Sequence, residues 1–235
     1  MFYMDFTYII LVLPAIIFSL WASARVNSTF KRYSSQRISC GMTGAEAARL
    51  ILTANGLSNV RIERVSGDLT DHFDPRTNVV RLSESVYDAP TMAAVGVAAH
   101  ECGHAVQHAV GYAPIKLRTA IVPMTNIGAR LSFPLILLGI ALSYTSADLI
   151  VLAYIGVILF SLSTFFQLVT LPTEYNASRR AMQALSASGR LNGEELRGAK
   201  KVLSAAALTY VAALAVSAMQ LISLLLRVQR NDRRR

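Results

Sequence analysis

The chain reads as a multi-pass α-helical membrane protein that carries one small α+β domain, and three observations say so. Apolar runs at about 6–24, 128–144, 149–171 and 202–226 are each long enough to cross a bilayer as a helix. Composition agrees: 53% of the 235 residues are hydrophobic and mean hydropathy is +0.42, too apolar for an ordinary soluble domain. The polar stretch between the first two runs alternates helix-like and strand-like patterns, as a compact α+β domain does.

The elements follow in order. Residues 1–26 hold the first membrane helix, with Pro14 inside it and Arg25 just after. No positive charge precedes the run and Trp21 stands where an interfacial anchor would, so a retained span is expected rather than a cleaved signal peptide. Residues 27–127 form the polar domain. Thr43 and Glu46 make a capping box that opens a helix to about Asn55, where Gly56 stops it. Asn59 to Val65 and Asn78 to Leu82 alternate as strands, joined by a polar loop over 67–77. A helix over about 90–110 comes next, ended by Gly111-Tyr112-Ala113-Pro114. Its first half is apolar, yet His100, Glu101, His104, Gln107 and His108 would be costly in hydrocarbon, which makes it a buried helix of the domain and not a span. Residues 128–171 form a membrane hairpin turned by Thr145-Ser146-Ala147-Asp148. A charged segment covers 172–201, and 202–235 hold a fourth span and an arginine-rich tail with Arg227, Arg230, Arg233, Arg234 and Arg235.

Formal net charge is +9. In so apolar a chain, excess Lys and Arg report orientation and contact with anionic lipid, and no aromatic-basic interleaving argues for nucleic acid. The lipid bilayer is an expected partner and nucleic acid is not. Basic residues follow the first span, precede the second and fill the segment between the third and fourth, so the positive-inside rule turns these parts to the cytoplasm of a cell-membrane protein. The arginine tail conflicts with that rule if the fourth run crosses fully. Two cysteines, Cys40 and Cys102, make no disulfide framework and fit a reducing compartment.

The chemistry lies in His100-Glu101-Cys102-Gly103-His104. Histidines four apart share one helix face, so both imidazoles reach one metal ion, and the glutamate after the first is held beside it to take a proton from water. This is the HExxH arrangement of zinc metallopeptidases. A catalytic zinc needs a third protein ligand and an open position. Glu174, just past the hairpin, returns to the face from which the chain left and is the preferred third ligand; Glu194 and Glu195 compete from a surface-like, glycine-containing stretch. One Zn2+ per chain is expected.

The chain resembles the YugP-like family of bacterial membrane zinc metallopeptidases. The resemblance lies in Leu69-Thr-Asp-His-Phe-Asp-Pro-Arg-Thr77, the stretch from Ala94 to His108, Gly111-Tyr-Ala-Pro114, and Leu171-Pro-Thr-Glu174 through Ala177-Ser-Arg-Arg180, and it extends from about Thr43 to Tyr210. More distantly the site is similar to the CAAX prenyl protease and HtpX-like membrane peptidases, where a Glu-x-x-Ala-Asp segment supplies the third ligand. That implies a zincin-like (gluzincin) catalytic domain with Glu174 as ligand. Ser178 stands where those relatives carry the aspartate, and a serine orients a ligand histidine without adding charge.

The expected activity is peptide-bond hydrolysis with Glu101 as general base, acting on peptide or protein substrates, including membrane-associated ones. Val79, Val80, Arg81 and Leu82 are expected to form the substrate-binding edge strand. His72, Tyr112, Tyr175 and Arg179 are candidate donors to the transition state, and His108 continues the histidine face. Blander roles compete for several residues. Cys102 points to another helix face and suits packing, and Asp71, His72 and Asp74 could bind a second ion but also read as turn chemistry. Arg179 and Arg180 suit lipid-facing charges. Two rival functions are an intramembrane protease, for which no later Asn-Pro-Asp-Gly-type segment exists, and a catalytically silent scaffold or quality-control adaptor, against which the intact Glu101 counts. The sequence names no regulatory membrane partner.

Overall fold

A computed structural model of the protein describes residues 6–233; residues 1–5 of the first predicted segment, and Arg234 and Arg235 of the tail, lie outside the described residues. In chain order the elements are α1 (Phe6–Ser34), α2 (Gly44–Ala54), β1 (Arg61–Val65), β2 (His72–Asp74), β3 (Val79–Ser83), α3 (Glu84–Tyr87) and α4 (Met92–Ala109). Then come α5 (Ala113–Leu142), a 3-10 turn (Ala147–Ile150), α6 (Val151–Ala187) and α7 (Gly193–Asp232). Two compact units result. Of the described residues, one comprises 6–21, 117–171 and 210–233, the other 22–116 and 172–209.

The first unit is helical and apolar. Among the described residues four helices are long and apolar enough to cross a membrane: Phe6–Ser34, Ala113–Leu142, Ala147–Ala187 with its leading 3-10 turn, and Gly193–Asp232. Within this unit α5 and α6 approach closely through small residues. A Cβ added at Gly156 would meet the Ser132 carbonyl oxygen at 2.7 Å, and one at Gly128 the Leu159 carbonyl oxygen at 2.8 Å. That is how helices pack in lipid, where apolar side chains gain nothing by leaving the hydrocarbon and tight backbone contact takes over. Leu137, Leu138, Ile158 and Leu168 point outward, as a lipid-facing surface requires. Thr164 Oγ1 and Ser217 Oγ, 2.8 Å apart, link α6 to α7 across this unit.

The second unit carries the polar chemistry. Its first helix is capped at both groups of the Thr43 box: the Glu46 N–H donates to Thr43 Oγ1 at 3.2 Å and the Thr43 N–H donates to Glu46 Oε2 at 2.8 Å. Helix α2 buries Ala47, Ala48, Ile51 and Leu52, and the same core takes Ala94, Ala98 and Ala99 of α4, Ala181 and Leu185 of α6, and Ala199 and Leu203 of α7. The alanines matter because they let α4 lie close to its neighbours. At Gly96 an added Cβ would already touch Ala199 at 3.4 Å.

The sheet has strand order β1-β3-β2, with β1 parallel and β2 antiparallel to β3. This corrects the expectation for Val79, Val80, Arg81 and Leu82. They belong to the central strand, with His72↔Arg81 to Asp74↔Val79 pairing on one side and Arg61↔Val79 to Arg64↔Leu82 on the other, so Val79, Val80 and Arg81 have a partner strand on both sides. The exposed edge next to α4 belongs to β2, which falls inside the segment read as a polar loop. A turn ending at Asn78, whose φ is +56°, brings β2 back onto β3.

Removing the Thr43 hydroxyl leaves an N–H of the first turn of α2 without its partner. Thr43→Ala is expected to lower unfolding free energy by about 1 kcal/mol while leaving metal uptake unchanged, as read by denaturant unfolding and metal analysis of the same preparation.

Candidate metal centre

Helix α4 is opened by Thr91, whose Oγ1 accepts from the Ala94 N–H at 3.2 Å, and its register brings His100 and His104 one above the other. The two Nε2 atoms face each other at 3.2 Å. Glu174, on α6 and buried, places Oε2 at 3.1 Å from His100 Nε2 and 3.4 Å from His104 Nε2. These ligand atoms lie within 4.8 Å of one another, and among the described residues this is the one such group of three or more.

The triangle fits zinc. Tetrahedral bonds of zinc to imidazole nitrogen and carboxylate oxygen place neighbouring ligand atoms about 3.3 Å apart, and the three separations of 3.1, 3.2 and 3.4 Å bracket that value. Two nitrogens and one oxygen also form the donor set of a catalytic zinc, which keeps a fourth position for water or substrate.

What brings α6 to α4 is a glycine. A Cβ at Gly103 would meet the Ala177 carbonyl oxygen at 2.5 Å, so the two backbones touch at the middle of the motif. Glu174 stands almost a turn before Ala177 on α6, and Ser178 immediately after it. Both therefore reach His100: Glu174 at Nε2, and Ser178 Oγ at 3.1 Å from Nδ1. His104 Nδ1 faces Gln107 Oε1 at 3.0 Å. Sequence reasoning gave no role to Gln107, Gly103 or Asn176. The polar load of the motif helix and the glycine inside it were the signals available.

Glu101 is buried and its Oε2 accepts the Phe73 N–H at 3.0 Å. Phe73 belongs to β2, which is clamped at both ends. Asp71 accepts from the Ser83 N–H at 2.7 Å and from its hydroxyl at 2.9 Å. Asp74 accepts from Thr77 Oγ1 at 2.7 Å and the Arg76 N–H at 3.0 Å, and it pairs with Arg81 at 3.2 Å. Burial pushes the Asp71 pKa up against the Ser83 hydrogen bonds, while the Thr77 hydroxyl and Arg76 amide hold Asp74 well below the usual carboxylate range. Both carboxylates are thus engaged in turn and strand contacts, which is the blander of the two readings for this segment.

The other candidates are spread more widely. His72 is exposed, with Nδ1 2.8 Å from the Thr70 carbonyl oxygen and Nε2 3.5 Å from Arg81. His108 is exposed and packs edge-on against Phe73 at 6.0 Å. The Tyr112 N–H donates to the Gln107 carbonyl at 2.9 Å as the helix ends. Tyr175 and Arg179 line a cavity of about 780 Å³ between α6 and α7, on the Ser178 side of His100. None of these five side chains hydrogen-bonds a ligand side chain among the described residues. The competing acids are engaged elsewhere: Glu195 accepts the Ser39 N–H at 2.5 Å and the Asn192 N–H at 2.8 Å, and Glu194 pairs with Arg197. Cys102 is buried, with its thiol on the Ala48 carbonyl at 3.6 Å and its pKa pushed up by that burial.

A paired-histidine helix with a glutamate from a second helix, in a chain with four membrane-length helices, points to the membrane zinc metallopeptidases as its class. The chain belongs to the family described as "Putative neutral zinc metallopeptidase", whose profile matches residues 8–229. It is 48% identical over 215 residues to "Putative membrane protease YugP" of Bacillus subtilis (strain 168), covering 92% of this chain and 93% of that one. No solved structure matches it.

Two outcomes follow. Gly103→Val forces α4 and α6 apart and is expected to abolish stoichiometric zinc retention while costing about 1–3 kcal/mol of stability, measured by metal analysis and denaturant unfolding. The second concerns pH. Burial opposes the charged form of His104, but the Glu174 hydrogen bond and the Glu101 and Glu174 charges outweigh it and hold its pKa above the ordinary value of 6.5. In metal-free protein that pairing stabilises fully below about pH 6.5 and is lost as pH rises through the elevated value. Zinc takes the neutral imidazole, so its stabilising effect grows over the same interval. The gap in Tm between zinc-loaded and metal-free protein is expected to widen as pH rises above about 6.5; a gap that narrows would overturn it.

Proposed function

We propose that the protein is a membrane-embedded zinc metalloendopeptidase of gluzincin type, with one zinc per chain held by His100, His104 and Glu174 and with Glu101 as general base. The observation that carries the reading is the convergence of two imidazole nitrogens and a buried carboxylate oxygen at tetrahedral-edge spacing, beside a second buried carboxylate that is not one of the three.

Zinc bound there supplies Lewis acidity, lowering the pKa of a water toward neutrality and polarising a peptide carbonyl. Glu101 accepts the proton of the attacking water and hands it to the leaving amide nitrogen. Its second contact, the Phe73 N–H, holds the carboxylate in place for both transfers. Ser178 fixes the ring of His100 from behind. With β3 in the centre of the sheet, the edge available to an extended peptide is β2, whose Phe73 N–H turns toward Glu101. Four apolar helices support a multi-pass membrane location, and the basic segments support a site facing the cytoplasm. A zincin-like layout, with a helix carrying the motif beside a small mixed sheet, accords with the same assignment. Membrane-associated peptides are the substrates that position favours.

Metal analysis and peptide hydrolysis on the same preparations test the reading. Glu101→Gln is expected to keep its zinc and lose turnover by about 10²–10⁴-fold, whereas Glu174→Ala loses both. Full zinc in Glu174→Ala would remove it from the ligand set. Glu101→Gln that keeps full cellular function would favour the scaffold alternative.

A further inference from the structure

We infer that Gln107 is the positioning residue of the metal centre: it holds His104 as the tautomer whose Nε2 is free for the metal, and Asn176 holds Gln107. The inference rests on the zinc site proposed above.

An imidazole that binds a metal through Nε2 must carry its proton on Nδ1, so whatever faces Nδ1 decides whether the ring is ready. Gln107 faces it, and an amide offers either an acceptor or a donor depending on which way round it lies. Here the direction is forced. Gln107 Nε2 lies 2.7 Å from the Thr173 carbonyl oxygen and 3.0 Å from Asn176 Oδ1. The first is backbone and only accepts. The second is fixed as oxygen because Arg180 Nε donates to it at 2.8 Å. Both amide hydrogens of Gln107 are thereby used, and a flipped amide would set its oxygen against two others. Oε1 must therefore point at His104 Nδ1, 3.0 Å away, and can only accept from it. Gln107 is fully buried and Asn176 nearly so, so bulk water does not substitute for either partner.

The line Arg180, Asn176, Gln107, His104 thus runs from the surface of α6 through the core to the ligand. It also joins the helices that hold the three ligands, since Thr173 and Asn176 flank Glu174 on α6.

The test is zinc affinity of full-length protein in detergent, by competition with a chromophoric chelator, in Gln107→Leu, Asn176→Leu and Asn176→Asp, with far-UV circular dichroism and Tm of each metal-free variant. Gln107→Leu and Asn176→Leu are expected to weaken zinc binding by roughly 10–100-fold. Asn176→Asp keeps an acceptor toward Gln107 and is expected to lose less than about tenfold. The two Asn176 variants keep the inference testable if Gln107→Leu fails to fold. Zinc affinity unchanged in Gln107→Leu, or equal losses in Asn176→Leu and Asn176→Asp, would overturn it, the latter because packing alone would then explain the loss. Wild-type protein that binds zinc tightly without hydrolysing peptides sinks the peptidase reading and leaves this one standing.

Discussion

The constraint on which the site depends is backbone contact between α4 and α6 at Gly103 and Ala177. A side chain at position 103 would need the space that the Ala177 carbonyl fills. Because the axes are that close, residues a turn apart on α6 meet residues a turn apart on α4, and short side chains suffice to bridge them. Glu174 meets both histidines, Ser178 meets His100, and Asn176 meets Gln107. The alanines of the surrounding core, Ala98, Ala99, Ala177 and Ala181 among them, are all fully buried and serve the same end. Small volume here is a means of placing charge accurately.

The arrangement carries an electrostatic cost that explains its chemistry. A carboxylate buried against two imidazoles is stabilised where positive charge is supplied beside it, for example by protons on the rings or by a cation between them. The upward shift of the His104 pKa is the protonic solution, and a divalent ion is the alternative that also orders the ligands. Glu101, also buried, adds its charge to the same balance yet is tied to Phe73 instead of to the histidines. Two carboxylates of the same helix pair therefore have different partners, Glu174 the two imidazoles and Glu101 the Phe73 amide.

Much of this was legible in the sequence because it is local. The His100 and His104 spacing fixes a shared helix face whatever the rest of the fold does, and the Thr43 to Glu46 box is complete within one helical turn. Glu174 was legible by a coarser argument, that a two-span hairpin returns the chain to the side it left. Strand order was not. Val79 to Leu82 look like an edge strand when β2 is read as loop, and the three residues of β2, between an aspartate and a proline, carry too short an alternation to be seen. Whether a strand lies at the edge or the centre depends on pairings between distant segments, which periodicity does not encode. Gln107 was hidden for a related reason: an amide inside an apolar helix has no meaning until its three partners are known.

The separation between the ligands has a consequence in time. His100 and Glu174 are 74 positions apart, with all of α5 and the first part of α6 between them in the chain. During synthesis the two histidines are made first and wait, incomplete, until the hairpin has been translated and the start of its polar continuation follows. A nascent chain halted before residue 174 therefore has the recognisable motif and lacks the site. The three side chains can therefore converge once the middle of α6 has been made, while α7 is still to come.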